Sequence, residues 1–221
     1  MTVKIAIDGP AGAGKSTVAK KLAKLLNYTY IDTGAMYRAI TYKAIQQGIN
    51  LTEENKIADI VQCADIILEG EKIFLDGKDI SEEIRKPEVS EKVSLVSKIP
   101  KVREILVQKQ RKIAEGKNVV MDGRDIGTVV LPDAQFKFFL TASLEERAKR
   151  RYRELKTKNV NVSYYEVLKE IENRDTIDSQ RDTSPLKIAE DSIVIDTTYL
   201  SEEEVLEKLY NIIKEGLKGE I

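Results

Sequence analysis

Gly9-Pro10-Ala11-Gly12-Ala13-Gly14-Lys15-Ser16-Thr17 decides how this chain is read. Its first eight residues fit the pattern G-x-x-x-x-G-K-[ST], a phosphate-binding loop. The flanks fit as well. Val3 to Asp8 is a short β-rich run, and Lys15 to Leu26 carries Val18, Leu22, Leu25 and Leu26 at helical spacing. A strand therefore feeds a glycine turn that opens onto a helix N-terminus. Glycine lets the backbone approach an anion closely. The free N–H groups of the first helical turn, with the helix dipole behind them, favour negative charge there. Lys15 is expected to reach the β- and γ-phosphates, and the Ser16 hydroxyl to ligate Mg²⁺.

Composition narrows the class. The chain has 221 residues, 42% of them hydrophobic and 33% charged, which suits one globular α/β domain with room for an insertion. Lys+Arg 36 against Asp+Glu 37 leaves a net charge of -1, so any anion site must be local rather than a global basic surface. Cys63 is the one cysteine, which excludes an intrachain disulfide, and its helical context predicts a small buried side chain. Histidine is absent, which removes histidine general bases and histidine-ligated zinc. No apolar run is long enough to span a membrane and no signal-peptide pattern is present, so a cytoplasmic protein is expected.

Beyond the loop, Tyr28 to Asp32 reads as a second strand. A helix follows from Ala35 to Gln47, and Thr52 is expected to cap another with Ile57, Ile60, Val61 and Ala64 on one face. The texture changes at Asp65. Ile66 to Leu68, Lys72 to Leu75 and Lys78 to Ile80 are short β-like pieces separated by Glu69-Gly70-Glu71 and Asp76-Gly77, which predicts a small antiparallel sheet inserted in an alternating α/β chain. Pro87 and Pro100 each begin a helix. Asn118 to Asp122, Gln135 to Leu140 and Asp191 to Asp196 are further strands, and apolar strands separated by helices imply a parallel sheet covered on both faces. Ser143 with Glu146, Ser163 with Glu166 and Ser201 with Glu204 fit capping boxes, the second opening a helix to about Asn173.

Four clusters stand outside this periodic pattern. Asp32-Thr33-Gly34-Ala35-Met36-Tyr37-Arg38 lies where a strand ends, the side on which open α/β sheets bind ligands. Arg38, one turn into the next helix, could grip a phosphate bidentately or remain a solvated surface arginine. Asp122-Gly123-Arg124-Asp125-Ile126-Gly127-Thr128 ends another strand. Its functional reading puts Asp122 at the metal, Arg124 on a phosphate and Asp125 on a base or sugar; its plain reading is a turn with a local Arg–Asp pair. Arg147, Arg150, Arg151 and Arg153 crowd one helix, where like charges repel unless an anion arrives. Arg174-Asp175, Asp178 and Arg181 follow the Ser163 helix, and the lysine-rich Leu155 to Asn161 lies between two arginine-bearing segments, as a closing lid requires. Phosphoryl transfer asks for positioning and charge stabilisation, and these clusters supply both.

Across nearly all of its length the chain resembles the bacterial cytidylate kinase family, within the nucleoside monophosphate kinases. The resemblance is carried by Ile7 to Ser16, Asp32 to Arg38, Pro100-Lys101-Val102-Arg103, Asp122 to Thr128 and the Arg174 to Arg181 run, in that order and spacing. It implies a P-loop kinase: a central parallel sheet flanked by helices, a monophosphate-binding insert at about 65–97 and a helical lid at about 147–175. The implied reaction is ATP plus CMP or dCMP giving ADP plus CDP or dCDP, with Mg²⁺ as cofactor. By position, Gly9 to Thr17 would hold ATP, and Thr33, Ser94, Arg103 and Asp125 would surround the cytosine. Arg38, Arg124 and Arg174 would hold the acceptor phosphate, Asp178 the ribose hydroxyls, with Arg181 beside it. Lys15, Arg124, Arg150, Arg151 and Arg174 would be catalytic, and Asp122 is a second candidate at the metal. The resemblance also implies a monomer that binds neither nucleic acid nor membrane. The nearest alternative is a kinase of the same fold acting on UMP or shikimate. A nucleotide-dependent switch or a nucleic-acid module is the reading from another class.

Overall fold

The central strand, β1 (Lys4–Asp8), buries Ile5, Ala6 and Ile7 completely. Such a strand needs cover on both faces and a neighbour on both edges. The computed structural model, which describes residues 2–219, supplies them. Around β1 a five-stranded sheet runs in the order β2 (Thr29–Asp32), β6 (Val119–Gly123), β1, β7 (Phe136–Thr141), β8 (Ile193–Asp196). Every pairing is parallel.

Side-chain alternation sorts the two faces. Ile5 and Ile7 join Val120, Phe138 and Leu140 against α1 (Lys15–Leu26) and α8 (Glu202–Gly219), through Val18, Leu22, Val205, Leu209 and Ile213. Ala6, Ile31, Val119 and Met121 point the other way, onto Val107 and Ala114 of α5 (Pro100–Ala114) and onto a π-helical turn, Ile126–Val130. Each fully buried isoleucine or leucine contributes roughly 1.5–3 kcal/mol, so the alternation holds the strand register firmly.

The inserted sheet forms as expected. β3 (Ile66–Glu69), β4 (Lys72–Leu75) and β5 (Lys78–Asp79) pair antiparallel, and Asp76 and Gly77 both take positive φ at the second turn. Ile73 and Leu75 share one apolar cluster with α2 (Thr33–Gln46), α3 (Glu54–Cys63), α4 (Pro87–Ser97) and α5. A 3-10 turn, Glu83–Arg85, joins the insert to α4. Past β7, α6 (Leu144–Thr157) and α7 (Tyr164–Gln180) make a hairpin with a small core of its own, Ala148, Leu155, Val167 and Ile171. Among the described residues no helix is long and apolar enough to cross a membrane.

Several local expectations change. Thr52 does not cap α3: its hydroxyl and N–H both donate to Asn50 Oδ1, an Asx turn that uses the side chain one step early, and Glu53 stands at the cap. Cys63 is exposed, because it falls outside the stripe of Ile57, Ile60, Val61 and Ala64 that α3 buries. Ser143 caps α6 by accepting the Glu146 N–H at 3.2 Å, but Glu146 sends its own carboxylate to Arg150 instead of completing the box. Ser163 and Glu166 do form the full box. Their helix runs on to Gln180, well past Asn173, so Arg174, Asp175 and Asp178 sit on α7 and Arg181 is its C-cap.

Candidate active site

The carboxyl ends of β1, β2 and β6 carry Asp8, Asp32 and Asp122, and β1 lies where the strand order reverses. That is the crevice in which open α/β sheets bind ligands. Here it is a cleft of about 880 Å³. The glycine loop makes one wall. Gly9 has φ 145°, and a Cβ there would stand 2.0 Å from the Leu140 carbonyl oxygen, so only glycine lets the loop leave the sheet at this point. Gly14, at φ 85°, is the N-cap of α1 and brings no side chain to the first-turn N–H groups. Those donors are left for an anion.

Lys15 is 5% exposed and donates at 2.6 Å to the Pro10 carbonyl of its own loop. Burial, then the charge of Arg124, holds its pKa well below the usual lysine range. Ser16 Oγ donates to Asp122 Oδ2 at 2.7 Å, and Tyr30 donates to Asp122 Oδ1 at 2.8 Å. Burial and the nearby Asp32 charge raise Asp122 to about 6. No group of three or more Asp, Glu, His or Cys side chains forms a ready metal cage among the described residues. A hydroxyl and a carboxylate side by side nevertheless suit Mg²⁺, which keeps several waters and takes its other oxygens from substrate phosphates.

Arginines share the cleft with the loop. Arg38, Arg124 and Arg174 line the same cleft as Lys15. Arg38 pairs with Asp32 at 2.9 Å, and Arg124 Nε donates to Asp178 Oδ2 at 2.8 Å. Arg174 differs. Among the described residues its buried Nε has no hydrogen-bond partner. Burial, then repulsion from Arg124, lowers its pKa to about 10. Asp178 and Glu170 offset part of that repulsion, and a buried guanidinium nitrogen without a partner among the described residues is one that an anion would relieve.

The residues assigned to the base and sugar lie beside this cleft, paired with one another. Arg103, 2% exposed, donates to Asp125 Oδ2 at 2.5 Å and to the Ser97 carbonyl at 3.0 Å, and covers the Tyr37 ring at 5.2 Å. Arg181 stands 3.6 Å from Asp178 and 4.0 Å from Asp125. Ser94 is buried near them on α4, and Thr33 donates to the Asp122 carbonyl at 2.7 Å. Arg124 touches both groups, facing the cleft and holding Asp178.

The α6 arginines divide. Arg150 lines the cleft and donates to Thr197 Oγ1 at 3.0 Å, and Arg151 lines it while pairing with Glu154 at 2.8 Å. Arg147 turns under the phosphate loop, donating to the Ala11 and Ala142 carbonyls, each at 3.0 Å, and to Asp175. It supports the loop and leaves the cleft to the others. Sequence reasoning passed over Arg85, Tyr30 and Thr197-Thr198-Tyr199, all of which reach the cleft or its metal corner. The last three follow the end of β8, so the same strand-end rule pointed to them.

Comparisons with known proteins agree with this geometry. A family model described as "Cytidylate kinase" matches residues 5–215. The chain is 71% identical over 221 residues to the cytidylate kinase of Caldanaerobacter subterraneus subsp. tengcongensis, covering 100% of this chain and 99% of that protein. It is 52% identical over 217 residues to the cytidylate kinase of Bacillus subtilis, covering 96% and 97%. Among solved structures, shikimate kinase from Bacteroides thetaiotaomicron aligns at TM-score 0.50 with 14% identity over 96% of this chain and 98% of that one, a likeness of fold alone. With a phosphate loop facing arginines across the tips of a parallel sheet, and with relatives this similar over their full length, the chain belongs to the cytidylate kinase family.

Proposed function

We propose that this chain transfers the γ-phosphoryl group of ATP to the phosphate of CMP or dCMP, giving ADP and CDP or dCDP. The observation that carries this reading is Arg174: its buried Nε has no hydrogen-bond partner among the described residues, and it lines one cleft together with the phosphate loop, Arg38 and Arg124.

Gly9 to Thr17 hold the donor phosphates, with Lys15 leaving the Pro10 carbonyl to meet them. Ser16 and Asp122 would hold Mg²⁺, which would supply charge neutralisation on those phosphates. Arg38, Arg124 and Arg174 hold the acceptor phosphate in line with the donor. Its ionised oxygen attacks the γ-phosphorus as the bond to the bridging oxygen breaks, so no general base is needed. Arg150 and Arg151 add positive charge from α6. The insert at about 65–97 and the hairpin within about 147–175 act as the acceptor-binding and lid segments. The proposed working unit is one chain in the cytoplasm.

Cytosine fits the buried group beside the cleft. Asp125 Oδ1 stands beyond hydrogen-bond distance of Arg181, while Arg103 Nε and Arg181 Nη2 are buried donors without partners among the described residues. The cytosine edge offers one amino donor and two acceptors. Uracil would put a carbonyl against the Asp125 carboxylate, and an unmet buried polar group is costly. Thr33 and Ser94 complete the base site, and Asp178 takes the ribose hydroxyls with Arg181 beside it.

A coupled assay of ADP release with CMP, dCMP, UMP, AMP and shikimate as acceptors tests the reading. CMP and dCMP are expected to be preferred. UMP, AMP or shikimate turned over faster than CMP overturns it.

A further inference from the structure

Asp8 closes β1 one residue before the glycine loop and is 3% exposed. Its carboxylate is engaged by a segment distant in sequence. Oδ1 accepts the Ile126 N–H at 2.8 Å and Oδ2 accepts the Gly127 N–H at 2.7 Å. These two amides open the π-helical turn Ile126–Val130. The far end of the turn is held as well. Arg111 on α5 donates from Nε to the Val130 carbonyl at 3.0 Å and from Nη2 to the Val129 carbonyl at 2.6 Å. A helical turn has free N–H groups at its start and free carbonyls at its end. Here a carboxylate takes the first and a guanidinium the second, each with the sign that the local dipole favours.

Only Arg124 and Asp125 separate the end of β6 from this turn. Arg124 lines the cleft, and Asp125 is bonded to Arg103. The strand fixes the chain before them and the turn fixes it after them, so gripping the turn sets the backbone from which both side chains depart. π-Helical turns are uncommon and recur at functional sites, where the extra residue re-aims a side chain.

We infer that Asp8 and Arg111 are positioning residues for the acceptor nucleotide: they clamp opposite ends of one turn and so place Arg124 and Asp125. The inference rests on the reading that Arg124 and Asp125 meet the acceptor. It makes an expectation that sequence order opposes, because Asp8 adjoins the donor loop yet serves the other substrate.

The test uses the full chain with Asp8→Asn, Arg111→Met, Arg124→Met and Asp125→Asn. KM and kcat are measured for CMP at saturating ATP, and for ATP at saturating CMP. Asparagine matches aspartate in shape but turns an N–H toward an amide N–H. Asp8→Asn and Arg111→Met are each expected to raise the KM for CMP about tenfold, the effect of one lost charge-assisted hydrogen bond. The KM for ATP should stay within about twofold. A merely structural role would lower the melting temperature without separating the two substrates. Equal changes in both KM values, or a change for ATP alone, overturn the inference. If Asp8→Asn does not fold, Arg111→Met carries the same comparison from the other end of the turn. If Arg124→Met and Asp125→Asn leave the KM for CMP unchanged, the acceptor reading fails and the inference falls with it. If those two raise it while Asp8→Asn and Arg111→Met do not, the inference alone fails.

Discussion

Arg103 Nη2 and Asp125 Oδ2 meet at 2.5 Å where neither side chain is more than 6% exposed. Two charges taken that far from water are held by each other. Removing either partner strands the other, at about 3–5 kcal/mol. Arg103→Met should therefore lower the stability by about that much in urea unfolding. It should also raise the KM for CMP at least tenfold while the KM for ATP moves little, because the pair is proposed to contact the base. Equal effects on the two nucleotides would place the base pocket elsewhere.

Lys15 gives the opposite balance of stability and function. Its ammonium is buried against one carbonyl, repelled by Arg124 and Arg174 and attracted by Asp122 and Asp8. Burial outweighs that attraction, so Lys15→Ala removes a charge that the fold holds at a cost. Turnover should fall by about a thousandfold, as expected for a group that stabilises the transferring phosphate. The melting temperature should hold or rise. Normal turnover in this variant would remove the loop lysine from the mechanism, and a collapse of the fold would mean that its bond to Pro10 is structural.

How much of this was legible beforehand divides along a physical line. The loop from Gly9 to Thr17, the parallel strands and the inserted antiparallel sheet are local patterns, written in glycine spacing and apolar period, and they stand where the sequence put them. That Arg38 and Arg124 line a cleft with Lys15 follows from the strand ends they succeed, whereas Arg174, on α7, was placed with them only by the family resemblance. What escaped depends on long-range partners. Nothing near Arg147 says that it will turn beneath the loop toward Ala11 and Asp175 rather than into the cleft. Nothing local announces the π-helical turn, since its two ends are held by Asp8 and Arg111, distant in sequence. Cys63 misled for a simpler reason. It adjoins an apolar stripe without belonging to it.

Asp8 also predicts how stability follows pH. Burial raises its pKa to about 7, against the lowering effect of the Gly127 and Ile126 amides. An acid whose folded pKa exceeds its unfolded value of 3.8 holds its proton more tightly when folded. The stability this contributes is full below the unfolded value and is lost as pH climbs through 7. Asp8→Asn cannot titrate, so the stability of wild type minus that of the variant isolates the effect. That difference should shrink by about 4 kcal/mol from pH 4 to pH 8, from roughly three pKa units at 1.36 kcal/mol each. Urea unfolding of both proteins at several pH values measures it. A constant difference would mean that Asp8 does not titrate in this range, and its ionised state at neutral pH would need no stability traded for it.

Arg174 tests the trade between stability and activity most directly. Its Nε has no partner among the described residues, and burial with the charges of Arg124 and Arg38 outweighs the attraction of Asp178 and Glu170. Arg174→Met keeps the aliphatic stem and removes the repulsion. The empty variant should melt a few degrees higher than wild type, the shift that roughly 1 kcal/mol produces in a chain of this size. Turnover should drop by about a hundredfold or more, since the proposed acceptor-phosphate site loses a fixed positive charge. Inorganic phosphate should raise the melting temperature of wild type by binding where the arginines converge, and should do so less in the variant. A variant that melts lower than wild type would mean that the guanidinium already has a partner in the folded chain. The repulsion attributed to Arg174 would then be compensated within the fold, and the strongest physical reason for an anion at that point would go with it.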